Sequence, residues 1–416
     1  MDILFIHPSY PGQFARLAPL LAKQPGVSVC AMGDAAQVQV KTEQDGIPLI
    51  KYSVQEQGGE GVHRFAKSFN DAVARGMAVA ETLIEHKRQG YEPDVVFVHP
   101  GWGDSLYLKS IFPFAKIIGL LEFYYHLQGA DVGFDKEFPH KFDDVFNVTT
   151  LNAVHALAIT GLDRSFSPTE WQRSRFPEAY QSKISVIHDG IDTERVTPNS
   201  EAVFVLPNGV QVTANDEVLT FVSRDLEPYR GYHKFMRSLP AIMEARPECQ
   251  VIIVGGDGVS YGKQPPVGET WKSRFLAEVI SDIDMSRLHF TGKLPYSEYL
   301  KVLQISSAHV YLTYPFVLSW SVLEAMAAGC CVIASDTAPV REVIKDSVNG
   351  YLVPFDNTNA IAAKVIQTLE ESDQQSLLRQ QARETVVQKY DFLQASLPRF
   401  IQLIQSVLKE SNSIAV

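Results

Sequence analysis

The chain has 416 residues, of which 45% are apolar and 20% charged, and a formal net charge of −11. That length exceeds what one ordinary core organises and implies two domains or more. The acidic balance argues against general nucleic-acid binding, which draws its affinity from phosphate neutralisation by Lys and Arg, and no apolar run reaches the roughly 18 residues needed to cross a bilayer.

The N-terminus reads as a strand, DILFIHP, without the basic flank and small-residue cleavage site of a secretory signal. Four cysteines lack a disulfide-like arrangement: Cys30 and Cys249 are isolated, and Cys330 and Cys331 are adjacent. Both features point to a cytoplasmic protein with buried thiols. Along the first half, short β-rich runs at ILFIHP, SVCAMG, DVVFVHP, KIIGLLEF and HALAIT alternate with helical-period segments at about 13–23, 62–88 and 103–111, and KISVIHDGID closes this half. The second half repeats the pattern. Strands are expected at VLTFVSR, CQVIIVGG, LHFTG, HVYLTY and CVIASD, with helices at about 231–245, 296–305 and 321–328.

This alternation predicts an α/β protein of two Rossmann-like lobes, each a parallel sheet covered by helices, at about 1–188 and 189–392. Such sheets bind ligands at the carboxyl ends of their strands, so the lobes are expected to face a central cleft. The segment at about 393–416 has helical periodicity and is expected to dock across the lobes, with Pro398 kinking it or setting its start.

Chemistry-bearing residues gather after the predicted strands. In HPSYPGQF, Gly12 allows a backbone to approach a ligand, or simply serves a tight turn. VFVHPGWGDS leaves His99 at a strand end beside two glycines; it either faces a ligand or is hydrogen-bonded in place. LLEFYYHLQGADVGFD places Glu122 at another strand end, with Tyr124, Tyr125, His126 and Asp131 beyond it, a concentration typical of a small-molecule pocket. SRDLEPYRG carries Arg224 and Arg230, whose guanidiniums suit a diphosphate through charge-assisted hydrogen bonds. The alternative is surface ion pairing with Asp225 and Glu227. IIVGGDGVSYG is glycine-rich but lacks the spacing of a phosphate-gripping loop, so by itself it marks a sharp backbone turn. In FVLSWSVLEAMAAG, Ser321 and Glu324 match the capping-box spacing, which would leave Glu324 capping its own helix. The start of that helix also presents free N–H groups from the Leu318, Ser319 and Trp320 region to a phosphate, which leaves Glu324 to accept hydrogen bonds from a ribose diol.

These blocks, with LHFTGKLPYSEYLKVLQISSAHVYLT and VLEAMAAGCCVIASDTAPVREVIKDSVNGYLV in order, resemble family 4 of the retaining GT-B glycosyltransferases over nearly the whole chain. The opening ILFIHPSYPGQFARLAPLLA and the segment SFSPTEWQRSRFP resemble one bacterial branch of that family. The resemblance implies a nucleotide-sugar on the C-terminal lobe, with Arg224 and Arg230 on the diphosphate, Glu324 on the ribose, and backbone at Gly292, Lys293 and Leu294 bordering the base. It implies an acceptor on the N-terminal lobe, with Gly12 near the donor phosphates and His99 facing the sugar. No metal or cofactor is implied, since arginines and a helix start hold the diphosphate. The acceptor is a glycan, a lipid-linked molecule or a small molecule, and peripheral contact with the inner face of a membrane is an open expectation. One departure stands out: the family pairs two glutamates eight positions apart, and the first is Phe316 here. An apolar Phe316 beside Tyr314 implies a donor presenting fewer hydroxyls, or a sugar contact supplied by backbone or Glu122. It also motivates the rival reading of a weak or inactive glycosyltransferase-like protein that binds a nucleotide or a partner enzyme.

Overall fold

The computed structural model describes residues 1–38, 43–55 and 61–412. It divides into two compact units: Met1–Gly190 together with the C-terminal segment from Phe392, and Ile191–Asp391.

In the first unit, β1 (Asp2–Ile6), β2 (Ser28–Asp34), β3 (Glu43–Gln44), β4 (Ile47–Tyr52), β5 (Val95–Val98), β6 (Lys116–Leu120), β7 (Arg164–Ser167) and β8 (Ile184–Val186) form one sheet in the order β3-β4-β2-β1-β5-β6-β7-β8. Every pairing is parallel except that of β3 with β4. The central strands are apolar throughout because both faces are covered. Ile3, Phe5, Val95 and Phe97 pack on one side, with Leu17 and Leu21 of the helix Leu17–Ala22 and with Phe400, Leu403, Ile404 and Val407 of the C-terminal helix. Leu4, Ile6, Val96 and Val98 point to the other side, where Val79 and Leu83 of the helix Lys67–Arg88 meet them. The segment expected to dock across the lobes therefore packs on the core of this unit. Its helix runs Leu397–Asn412 directly out of a π-helical turn at Phe392–Ser396, and Pro398 stands at its second position.

The second unit has a small antiparallel hairpin, β9 (Val203–Val205) with β10 (Gln211–Thr213), which the sequence reading did not anticipate. Its main sheet is β11 (Val218–Asp225), β12 (Gln250–Gly256), β13 (Leu288–Gly292), β14 (Ala308–Tyr311), β15 (Val332–Ser335) and β16 (Tyr351–Val353), all parallel, in the order β13-β12-β11-β14-β15-β16. Both sheets reverse their winding direction at a neighbouring pair of strands, β1 with β5 and β11 with β14. Such a switch point opens a crevice beyond the strand ends.

One expected element is wrong. HALAIT is the end of the helix Phe142–Thr160, and the strand it was taken for is β7, four residues further on. The expected helix at about 103–111 shrinks to Leu108–Ile111, because Pro100–Trp102 forms a tight 3-10 turn that Gly103 ends in the left-handed region.

The first unit encloses three histidines in neutral form. Burial pushes His7 down to about 3 and His155 down to about 4; burial, helped by Arg16, pushes His188 down to about 3. The unfolded chain takes up these protons near 6.5 and the folded chain does not. The stability they confer is complete above that value and is lost as pH falls from about 6.5 towards 3. Urea midpoints measured at pH 7.5, 6 and 5 are expected to fall in that order, and a flat series would contradict the burial of these rings.

Candidate active site

At the switch point of the second unit, β11 ends in Ser223–Arg224–Asp225 and leads through a 3-10 turn, Pro228–Arg230, into the helix Tyr232–Ala245. Gly231 closes that turn at φ 70, and a Cβ there would lie 2.3 Å from the Leu312 Cβ, so the residue after Arg230 has no room for a side chain. Arg230 is buried, and its Nη1 donates to Thr313 Oγ1 at 2.8 Å and to the Val317 carbonyl at 3.4 Å. It is thereby tied to the 312–319 loop that follows β14. Arg224 is exposed, and both guanidiniums lie over the Tyr261 ring, at 5.9 Å for Arg224 and 5.0 Å for Arg230.

The alternative of surface ion pairs with Asp225 and Glu227 does not describe these carboxylates. Asp225 pairs with Lys293 Nζ at 3.1 Å and accepts from Ser260 Oγ at 2.5 Å. Glu227 is fully buried and accepts the backbone N–H groups of Ser260, Tyr261 and Gly262 at 3.1, 3.1 and 2.8 Å. The glycine-rich loop bends sharply at residues 257–258 and again at 260–262, as expected. None of Gly255, Gly256, Gly258 and Gly262 takes a positive φ; instead a Cβ at Gly256 would lie 2.6 Å from Asp225 Oδ1, and one at Gly262 3.0 Å from Glu227 Oε2. These glycines let two carboxylates approach the backbone.

Ser319 caps the helix Trp320–Ala327, its side chain accepting from the Ser321 N–H, while the Ser319 N–H donates to Tyr311 Oη at 3.1 Å. The capping-box reading of Ser321 and Glu324 is therefore overturned: the cap lies two residues earlier, and Glu324 sits beyond the first turn. Glu324 is 5% exposed and accepts the phenol hydroxyls of Tyr296 at 2.7 Å and Tyr299 at 2.9 Å, one on each oxygen. Two donors from one neighbouring helix fix the carboxylate plane. Leu318 is buried in the core and Trp320 packs half-buried against it. Gly292 takes φ 67 with open space where a Cβ would stand, Lys293 is held by Asp225, and Leu294 packs against Val254 and its neighbours. Phe316 is buried with Tyr229 and Tyr261 at ring distances of 5.1 and 5.2 Å, and Tyr314 packs on Tyr229 at 4.8 Å.

In the first unit, the switch point between β1 and β5 gathers His7, Gly12, Gln13, His99 and Glu122. His99 Nδ1 accepts the Gly101 N–H, which leaves the proton on Nε2, 3.3 Å from Glu122 Oε2. Burial raises the Glu122 carboxyl, but the hydrogen bonds of His99 and Gln13 outweigh it and hold the group below its ordinary value. Gln13 donates to Glu122 Oε1 at 3.0 Å, the Glu122 carbonyl accepts from Gln172 Nε2 at 2.7 Å, and Trp102 stacks on His99 at 4.0 Å. Gly12 has φ 48, and a Cβ there would fall 2.4 Å from the His7 ring. His7 and Gln13 escaped the sequence reading, although IHP at His7 repeats the VHP signature of His99. Tyr124 belongs with packing residues, its ring 5.6 Å from Phe176, whereas Asp131 lies half-buried further along the same loop. Beside Trp102, a cavity of about 1000 Å³ is lined by Lys67, Arg75, Trp102, Tyr125, Val154 and His155 among others.

Two family models match the chain: "Glycosyl transferase family 4 group" over residues 25–196 and "Glycosyl transferases group 1" over residues 208–385. A phosphatidyl-myo-inositol mannosyltransferase of Mycolicibacterium smegmatis is 30% identical over 213 residues, 46% of this chain and 49% of that protein. The Bacillus subtilis spore coat protein SA is 24% identical over 223 residues, 50% of this chain and 55% of that protein. The chain spans about half the length of the curated relatives it matches. Among solved structures, the Thermosynechococcus elongatus sucrose-phosphate synthase superposes with TM-score 0.73 at 18% identity over 99% of this chain and all of that one. Anabaena HepE in complex with UDP and glucose gives TM-score 0.70 at 16% identity over 98% of this chain and all of that one.

Proposed function

Because the chain belongs to the family 4 glycosyltransferases of GT-B fold, we propose that it moves a sugar from a nucleoside diphosphate sugar to an acceptor hydroxyl. The observation that carries this reading is Arg230, buried at a switch point and bonded to the loop that leads into a helix start. A diphosphate placed there meets two guanidiniums and the positive end of the helix Trp320–Ala327.

In this reading the C-terminal unit holds the donor. Arg224 and Arg230 stabilise the charge that grows on the leaving diphosphate, and Glu324, its carboxylate held by Tyr296 and Tyr299, accepts from the ribose hydroxyls. Backbone at Gly292, Lys293 and Leu294 borders the base. The N-terminal unit holds the acceptor, a glycan, a lipid-linked molecule or a small molecule, with His99 kept as an Nε2–H donor by Gly101 and Glu122. Transfer proceeds with retention, the leaving diphosphate taking the acceptor proton on the same face, so protein groups and not a divalent cation carry the charge. Among the described residues no helix is long and apolar enough to cross a membrane.

Phe316 favours a second reading, a nucleotide-binding protein without transfer, because its buried ring offers no hydrogen bond to a sugar. Incubation with UDP-, GDP- and ADP-sugars and a mixed acceptor panel separates the two. Release of nucleoside diphosphate coupled to a glycosylated product is expected; binding without sugar release in any combination supports the second reading and overturns the first.

A further inference from the structure

The donor reading places a diphosphate on Arg224 and Arg230, and the side chain common to both guanidiniums is Tyr261. This ring is not a loosely hung surface group. Its loop is latched by a fully buried carboxylate, Glu227, which gathers three consecutive backbone N–H groups, and by Asp225 through Ser260. An acidic side chain withdrawn from water and holding three amides is a strong device for fixing a loop. What it fixes is the position of Tyr261 against Arg230, Tyr229 and Phe316.

Tyr261 stays 39% exposed while Phe316 behind it is 7% exposed. The wall beside the arginines therefore presents one aromatic residue to an incoming ligand, backed by a second that is out of reach. Aromatic faces recognise the C–H side of a sugar ring by contact area and dispersion, whereas carboxylates recognise its hydroxyls by hydrogen bonds. With Glu324 assigned to the ribose, the group at the other end of the diphosphate is the one that meets this wall.

We propose that Tyr261 is a specificity-determining residue, the surface on which the transferred sugar stacks by its C–H face, so that ring shape selects the donor sugar on this side. The inference rests on the donor reading above, and its test keeps the two apart. Wild type, Tyr261→Ala and Tyr261→Phe are titrated calorimetrically with UDP, GDP and ADP, and with UDP-glucose, UDP-N-acetylglucosamine, GDP-mannose and ADP-glucose. For the base that binds, Tyr261→Ala is expected to leave the affinity for the diphosphate within about two-fold and to weaken the sugar conjugate roughly ten-fold. Tyr261→Phe, which keeps the ring, is expected to keep the conjugate's affinity. Equal losses for diphosphate and conjugate, or no loss for either, would show that Tyr261 only braces the arginines and would overturn the proposal. If none of the compounds binds wild type, the donor reading itself fails. Melting temperatures confirm that each variant folds, as expected for a change at a partly exposed ring.

Discussion

Arg230→Ala is expected to lower turnover by about 10²- to 10³-fold, the range found when one preorganised donor to a developing negative charge is removed. The cost in stability is smaller. Thr313 Oγ1, which accepts from Arg230, also donates to the Tyr314 carbonyl at 3.0 Å, so one hydroxyl loses a partner but not its anchor. A loss of about 1–3 kcal/mol is the scale for a buried group left partly unsatisfied. Arg230→Lys is not expected to restore the rate, because a point charge cannot bridge Thr313, the Val317 carbonyl and a phosphate in one plane. Steady-state rates and melting temperatures of the three proteins decide the matter. Unchanged turnover at unchanged melting temperature would remove Arg230 from the mechanism.

Glu324→Ala is the second large effect. Donor binding loses a charge-assisted acceptor for the ribose, worth about 1.5–3 kcal/mol, or roughly ten- to a hundred-fold in affinity. The substitution also strands the phenols of Tyr296 and Tyr299, and the half-buried Tyr299 has its hydroxyl pushed well above its ordinary range by burial and then by Glu324. A fall in melting temperature is therefore expected together with the loss of binding. Tyr299→Phe separates the two roles: it leaves the carboxylate in place with one anchor fewer and is expected to weaken binding less. The ribose contact itself is read by comparing UDP with 2′-deoxy-UDP. Wild type is expected to prefer the ribonucleotide and Glu324→Ala to lose that preference, whereas an equal preference in both proteins would place the diol elsewhere.

Much of the two-unit organisation was legible because parallel strands buried on both faces leave apolar runs such as VVFV that no amphipathic helix produces. HALAIT misled for the complementary reason. A short apolar run inside a buried helix has no distinguishing period, and the helix Phe142–Thr160 starts far enough upstream to hide its continuity. β7 was missed because RSFS is short and half polar. That Arg224 and Arg230 lie near each other could be read from sequence, since both flank one strand end. The surroundings of Glu324 could only be half read: its spacing to Ser321 fits a cap, but Ser319 takes the cap through its own side chain, and the phenols that hold the carboxylate come from another helix. Tyr261 was beyond local reasoning. Its place depends on Glu227 reaching across more than thirty residues of chain to three amides, a contact that no spacing rule contains.

The central claim is that a diphosphate binds at the switch point of the C-terminal unit. A crystal structure with UDP, GDP or ADP bound tests it most directly. Phosphate oxygens within hydrogen-bonding distance of both guanidiniums, Arg224 and Arg230, and ribose hydroxyls on Glu324 are the predicted result. A nucleotide seated away from these three side chains would contradict it.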